Sequence, residues 1–118
     1  MANRRHRSIF RKGGITPDEI RRARPAIAVS QPAERALGLE LLRFPEALAL
    51  AAAELKPNLL TDYLFGLANK YSTFFDQCPV LKAESSSLRD SRLALCDLTA
   101  RTLERGLDLL GIKVVERM

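Results

Sequence analysis

Apolar residues recur at intervals of three and four along most of the chain, the spacing that gathers them on one face of an α-helix. The longest such runs cover 58–77 and 87–111, and proline, glycine and serine separate one run from the next. The alternating pattern of a β-strand competes with helix only at 112–115, which is too short to make a sheet. The pattern therefore predicts an all-α fold, a single bundle of four to five helices. A basic helix at 3–12 and a short helix from Pro17 to before Pro25 precede longer helices at 34–44, 45–55, 58–77 and 87–111.

Polar residues mark where several of these helices begin and end. Thr16 with Glu19 three residues later has the form of a capping box, and Ser87 with Asp90 resembles another. Gly111 follows the last apolar turn and is predicted to end the final helix.

Each long helix carries an apolar stripe that is predicted to form the core. An aromatic stripe on a helix could also stack on nucleic-acid bases, but its helical spacing favours the core. Asp97 and Arg101, four residues apart, are expected to form a surface ion pair. The predicted core residues are Leu37, Leu41, Leu42, Leu60, Tyr63, Leu64, Leu67, Tyr71, Phe74, Phe75, Leu88, Leu95, Cys96, Leu103, Leu107 and Leu110.

Length and composition limit the classes of function. A chain of 118 residues fits one domain, and its longest apolar run, "ALALAAA" at 47–53, is well short of a membrane span. No secretory leader is visible, and Cys78 and Cys96 lack further ligands at metal-binding spacing. We therefore expect a cytoplasmic protein with two reduced thiols and no metal site. His6, the one histidine, lacks the partners of a catalytic centre and is interpreted as structural, so no catalytic residue is predicted.

The positive charge is concentrated at one end of the chain. Residues 1–24 hold eight Lys/Arg against two acids, a net charge of +6, whereas the remainder holds 11 against 12, a net charge of −1. Such a cationic edge suits phosphates or an acidic surface. Composition divides the chain into a basic entry helix and turn at 1–24, a proline-bounded linker at 25–32, a helical bundle at 33–111 and a C-terminal tail at 112–118.

Three stretches resemble one family. They are "RHRSIFRKGG" at 5–14, "NLLTDYLFGLANKYSTFFDQCPVLKAE" at 58–84 and "RLALCDLTARTLERGLDLLGIKVVERM" at 92–118. Together they are similar to the C-terminal helical domain of bacterial arginyl-tRNA synthetases, the DALR anticodon-binding domain, although the four-residue motif that names it does not occur literally here. The resemblance covers essentially the whole chain.

The resemblance implies a function that composition only permits. In the family, this domain grips the anticodon stem-loop of arginine tRNA, and a separate class I domain uses ATP and magnesium to attach arginine. The His-Ile-Gly-His and Lys-Met-Ser-Lys-Ser signatures of that catalytic domain are absent from this chain. The chain thus resembles the last domain of a synthetase, with no cofactor of its own and with the catalytic domain and the tRNA as partners.

The resemblance also implies site residues. A family arginine that faces the anticodon loop corresponds to Arg5, and the family's terminal methionine corresponds to Met118, whereas the family's tyrosine is replaced by Met1. The predicted RNA-binding residues are Arg4, Arg5, Arg7, Arg11, Lys12 and Met118.

Other interpretations of the basic helix remain open. It could be a solvated face that abuts the catalytic domain, and the whole chain could be a stand-alone DALR-like helical adaptor for protein or RNA. Its apolar side of His6, Ile9 and Phe10 is too small for stable insertion into an anionic membrane.

Overall fold

The computed structural model describes residues 9–23 and 25–117, with side chains described as far as Gly111. The described residues contain no β-strand, and the prediction of an all-α bundle is confirmed. Residues 9–13 are helical and lead into five helices. These are α1 (Pro17–Ala23), α2 (Pro32–Leu42), α3 (Phe44–Ala53), α4 (Pro57–Gln77) and α5 (Ser86–Arg117).

The two longest helices, α4 and α5, form the centre of the bundle. α5 contacts α1, α2 and α4, while α4 also packs against α2 and α3. Leu67 and Phe74 of α4 and Leu93 of α5 are completely buried between these elements. The longest dimension of the molecule is 48 Å, as expected for a helix of 32 residues that rises about 1.5 Å per residue. Within the described residues, none of the helices has both the length and the apolar character needed to cross a membrane.

The beginnings of two helices test the capping predictions. The Thr16 hydroxyl oxygen accepts a hydrogen bond from the backbone N–H of Glu19 at 3.2 Å, so Thr16 caps α1 as predicted. For α5, the prediction of Ser87 as the cap is wrong. The hydroxyl oxygen of Ser85 accepts the N–H of Leu88 at 3.1 Å, and the helix begins at Ser86. Three successive serines offer the same chemistry, and sequence pattern alone cannot choose among them.

The predicted end of the last helix is also wrong. α5 continues through Gly111 to Arg117, so residues 112–117 extend the helix and do not form a separate tail. A glycine ends a helix by adopting a positive φ angle. Among the described glycines, Gly14 has that conformation, with φ of 66°, and Gly111 does not.

Most of the predicted core is confirmed, with two leucines as exceptions. Leu42 is 77% exposed and Leu107 is 58% exposed. Leu42 lies one residue beyond the buried stripe that ends at Leu41. Gly106, and not Leu107, faces α4, because a Cβ atom at Gly106 would lie only 2.6 Å from Leu64 Cδ2. The confirmed core residues are Leu37, Leu41, Leu60, Tyr63, Leu64, Leu67, Tyr71, Phe74, Leu95, Cys96 and Leu103, and Phe75, Leu88 and Leu110 are half-buried.

The linker is fastened to the bundle. Residues 25–30 are not helical, and Pro32, predicted as its last residue, already belongs to α2. The backbone N–H of Ala28 donates a hydrogen bond to the Ser91 hydroxyl oxygen at 2.8 Å, and Ser91 is buried in α5. This bond fastens the linker between α1 and α2 to α5.

Candidate nucleic-acid interface

The described part of the basic segment is amphipathic. Ile9 and Phe10 are buried in the core, with 8% and 5% exposure, whereas Arg11 and Lys12 are exposed. The two apolar side chains therefore anchor residues 9–13 on the bundle and leave two cations in solvent. A guanidinium and an ammonium group at adjacent positions can both donate charge-assisted hydrogen bonds to phosphate oxygens.

Two glycines bring this segment against the turn that follows α4. A Cβ atom at Gly13 would lie 2.9 Å from Leu81 Cδ2, so a larger residue there would force the Leu81 side chain to shift. Gly14 has φ of 66°, a left-handed conformation that glycine adopts without strain. The exposed pair Arg11 and Lys12, which we call the basic edge, consequently lies beside residues 78–83.

A buried ion pair holds that turn in place. Arg92 is 5% exposed and Glu34 is completely buried. Arg92 Nε lies 3.4 Å from Glu34 Oε2, and Arg92 Nη1 donates to the backbone oxygen of Pro79 at 2.5 Å. Glu34 Oε1 also accepts the N–H of Gln31 at 3.1 Å. This network joins the start of α2, the turn after α4 and the second turn of α5.

A second ionic cluster fixes α1. Arg21 Nε and Nη2 donate to the two carboxylate oxygens of Asp97 at 2.9 and 2.8 Å, and Arg101 Nε lies 3.2 Å from Asp97 Oδ2. The predicted ion pair between Asp97 and Arg101 is confirmed, but it is not a surface pair, because Asp97 is 1% exposed. The hydrogen bonds from Arg21 to Asp97 raise the pKa of the Arg21 guanidinium. Arg21 and Arg22 are both exposed, but Arg21 is held by the buried Asp97. Within the described part of the chain, Arg22 donates only to the backbone oxygen of Asp18 on its own helix.

The structure covers only part of the predicted site. Arg11 and Lys12 are exposed and adjacent, as a binding role requires. Predictions for Arg4, Arg5, Arg7 and Met118, together with the structural role of His6, fall outside the described residues. Sequence reasoning missed the supporting ion pairs. Arg92 did give a signal, because an arginine beside Leu93 and Leu95 on a buried stripe needs a buried partner.

Neither cysteine has the features of a reactive thiol. Cys78 and Cys96 are free and buried. Burial raises the pKa of the Cys96 thiol to about 12 and also raises that of Cys78, so both stay protonated near neutral pH. Among the described residues there is no group of three or more His, Cys, Asp or Glu side chains that could hold a metal ion.

Comparison with known proteins supplies the family. A family model described as the DALR anticodon binding domain matches residues 1–118. The chain is 48% identical over 114 residues to the arginine–tRNA ligase of Thermobifida fusca and 52% identical over 115 residues to that of Streptomyces avermitilis. It is 50% identical over 114 residues to the arginine–tRNA ligase of Trichodesmium erythraeum. Each match covers 97% of this chain and 19% of the relative. The resemblance noted in the sequence is thus confirmed, and the chain belongs to the DALR anticodon-binding domain family.

Proposed function

We propose that this chain binds the anticodon stem-loop of an arginine tRNA and so serves ATP-dependent ligation of arginine to that tRNA. The RNA-binding surface is the basic edge together with Arg4, Arg5, Arg7 and Met118. The observation that carries the proposal is the exposure of Arg11 and Lys12 on a segment whose other side, Ile9 and Phe10, is locked into the core. Membership in the DALR anticodon-binding domain family, with arginine–tRNA ligases as the matched relatives, supports an arginine tRNA as the RNA.

The chemistry of ligation belongs to a catalytic domain, and the sequence signatures of that domain do not occur in this chain. ATP and magnesium act in that domain. The described residues of this chain offer no cluster of carboxylates or histidines that could hold an ion, so we assign none of them to either group. The contribution of this chain is to position the tRNA, and positioning alone can supply a large part of a rate enhancement.

Titration of a labelled arginine anticodon stem-loop with the 118-residue chain tests the proposal. We expect a dissociation constant in the micromolar range or above, on the order of non-specific electrostatic binding at physiological salt. Affinity should fall as salt rises, with a log–log slope of about −0.7 per phosphate neutralised in a single-stranded loop. Lys12→Ala should weaken binding to all loops and make that slope shallower. Arg5→Ala should cost roughly 1–3 kcal/mol if it contacts a base through both nitrogens.

A matched control comes from the far part of α5. Arg105 is exposed and lines a shallow surface groove with Arg101, Glu104 and Asp108, so that two acids balance two arginines there. Arg105→Ala should leave binding unchanged. Removal of Met118 should weaken binding without changing the salt slope, because a thioether neutralises no phosphate. If Arg5→Ala and Lys12→Ala bind cognate and scrambled loops as the parent does, the basic edge is not the RNA-binding surface.

A further inference from the structure

The helix α3 is apolar on both of its sides, but only one side is covered. Ala51 is buried, and Phe44, Ala47 and Leu48 are half-buried where α3 packs against α4. The opposite side is exposed, and Leu50 at its centre is 50% exposed. Helical spacing of three and four residues places four exposed residues together there, and we call them the outer face of α3. They are Glu46, Ala49, Leu50 and Ala53.

The turn that ends α3 carries a second exposed leucine in an unusual conformation. Leu55 has φ of 55°, the left-handed region that favours glycine. Its N–H bonds the oxygen of Ala52 at 3.3 Å, and the N–H of Lys56 bonds the oxygen of Ala51 at 3.0 Å. These two bonds form a glycine-type helix end. The Leu55 side chain is 76% exposed, so burial within the bundle does not offset the strain. Strained residues of this kind concentrate at functional sites.

The charge of this region offers RNA no net attraction. From Phe44 to Leu55 the charged residues are Glu46 and Glu54, both exposed. The exposed cations Arg43 and Lys56, which flank this range, only balance them. Carboxylates beside an apolar surface repel phosphates, whereas exposed apolar surface with a polar rim is typical of contacts between folded polypeptides.

The outer face of α3 is also remote from the basic edge. Phe44 packs on Tyr63 with ring centroids 6.0 Å apart, in the first third of α4. The basic edge adjoins Leu81, beyond the other end of α4. From Tyr63 to its last residue, Gln77, α4 rises about 21 Å at about 1.5 Å per residue, so both surfaces can be occupied at once.

The size of the relatives indicates what covers this face. The chain spans 19% of the arginine–tRNA ligases that it matches, so in them the domain is joined to roughly four times its own length of further polypeptide. We infer that the outer face of α3, with Leu55, packs against the catalytic part of an arginine–tRNA ligase and leaves the basic edge to the tRNA. This inference rests on the proposed function, because it takes this chain to be a domain of such a ligase.

Hydrogen–deuterium exchange measures the coverage directly. One sample is the 118-residue chain, and the other is the Thermobifida fusca ligase carrying this chain in place of its own matching segment. The amides of Ala49–Leu55 should exchange at least tenfold more slowly in the full-length ligase. Leu50→Lys should remove that protection in the ligase without changing the helix content of the 118-residue chain. Phe65→Lys, at an α4 residue that is 71% exposed, is the matched control and should leave the protection intact.

The unmodified Thermobifida fusca ligase provides a second measurement that does not depend on the hybrid. Its segment aligned with 44–55 should exchange more slowly in the intact ligase than in the isolated C-terminal part of that ligase that aligns with this chain. Equal exchange of 49–55 in both samples overturns the inference. Slower exchange of 49–55 in the 118-residue chain on addition of the stem-loop RNA also overturns it, as does slower exchange that accompanies self-association of this chain in sedimentation. Protection of 49–55 without stem-loop binding would support the α3 interface and refute the RNA-binding role. Stem-loop binding without protection of 49–55 would support the RNA-binding role and refute the α3 interface.

Discussion

The helices α3 and α5 show that apolar content and burial are different properties. Eight of the ten residues of α3 are alanine, leucine or phenylalanine, yet Ala51 is the single residue of this fully described helix that is buried. α5 is far more polar, and it supplies the centre of the bundle. Four of its buried residues are polar or charged, and they are Ser91, Arg92, Asp97 and Thr99.

The buried polar residues of α5 all have partners. Ser91 accepts a hydrogen bond from the linker, and the Thr99 hydroxyl donates to the oxygen of Leu95 at 2.7 Å. Arg92 and Asp97 pair with Glu34 and Arg21 from other helices. Because a buried polar group costs little once it is hydrogen-bonded, position in the fold decides burial here. The difference between the helices is therefore that α5 touches three other helices, whereas α3 chiefly contacts α4.

The largest loss of stability is expected when one partner of a buried ion pair is removed. Arg92→Ala should destabilise the chain by about 3–5 kcal/mol, because it leaves Glu34 as a buried charge without its partner. Urea denaturation followed by circular dichroism measures the change. Arg89→Ala provides a control one turn earlier on the same helix. Arg89 pairs at 3.2 Å with Asp90, and both side chains are about one-third exposed, so the loss of this solvent-screened pair should cost about 1 kcal/mol or less.

The double variant Arg92→Met with Glu34→Leu sharpens the test. It removes both charges and should be more stable than Arg92→Ala, because hydrophobic replacement of an ion pair is often neutral or favourable. Equal costs for Arg92→Ala and Arg89→Ala would show that the buried pair is no more important to the fold than a surface pair.

The next largest effect contrasts leucines on the two helices. Leu103→Ala on α5 should cost roughly 2–5 kcal/mol, since Leu103 is 8% exposed and its loss leaves a cavity. Leu50→Ala on α3 should cost about 0.5 kcal/mol or less, as for other surface changes. Leu107→Ala, on the same helix as Leu103, should match Leu50→Ala because Leu107 is 58% exposed. The same urea titrations decide the comparison, and a Leu50→Ala cost equal to that of Leu103→Ala would refute it.

Sequence pattern predicted the helices because each long helix has its own apolar period. It failed where a neighbouring helix decides the outcome. Leu107 lies on an apolar stripe, but the close approach of Leu64 selects Gly106 as the inward residue. Gly111 looked like a helix end, but nothing in the sequence reports its φ angle.

The candidate site also has a part that the sequence predicts and a part that only the fold reveals. The charge of Arg11 and Lys12 could be read directly, since net charge needs no fold. The support of these residues could not, because Glu34 and Arg92 are 58 positions apart in the chain and meet only in the folded bundle. The choice of RNA as the ligand came from family resemblance, and no physical property of the chain specifies it.

The smallest effect concerns the strained end of α3. Leu55→Gly should stabilise the 118-residue chain by up to about 1 kcal/mol. Glycine relieves the cost of a left-handed leucine, on the order of 1–2 kcal/mol, and part of that gain is offset by its greater entropy in the unfolded state. Glu54→Gly serves as the control, because Glu54 has φ of −92° in the ordinary helical region. That change should destabilise by roughly 0.5–1 kcal/mol. Thermal and urea unfolding of both variants measure the difference. If Leu55→Gly destabilises the chain as much as Glu54→Gly does, the Leu55 side chain makes contacts within the domain, and its conformation carries no stored strain.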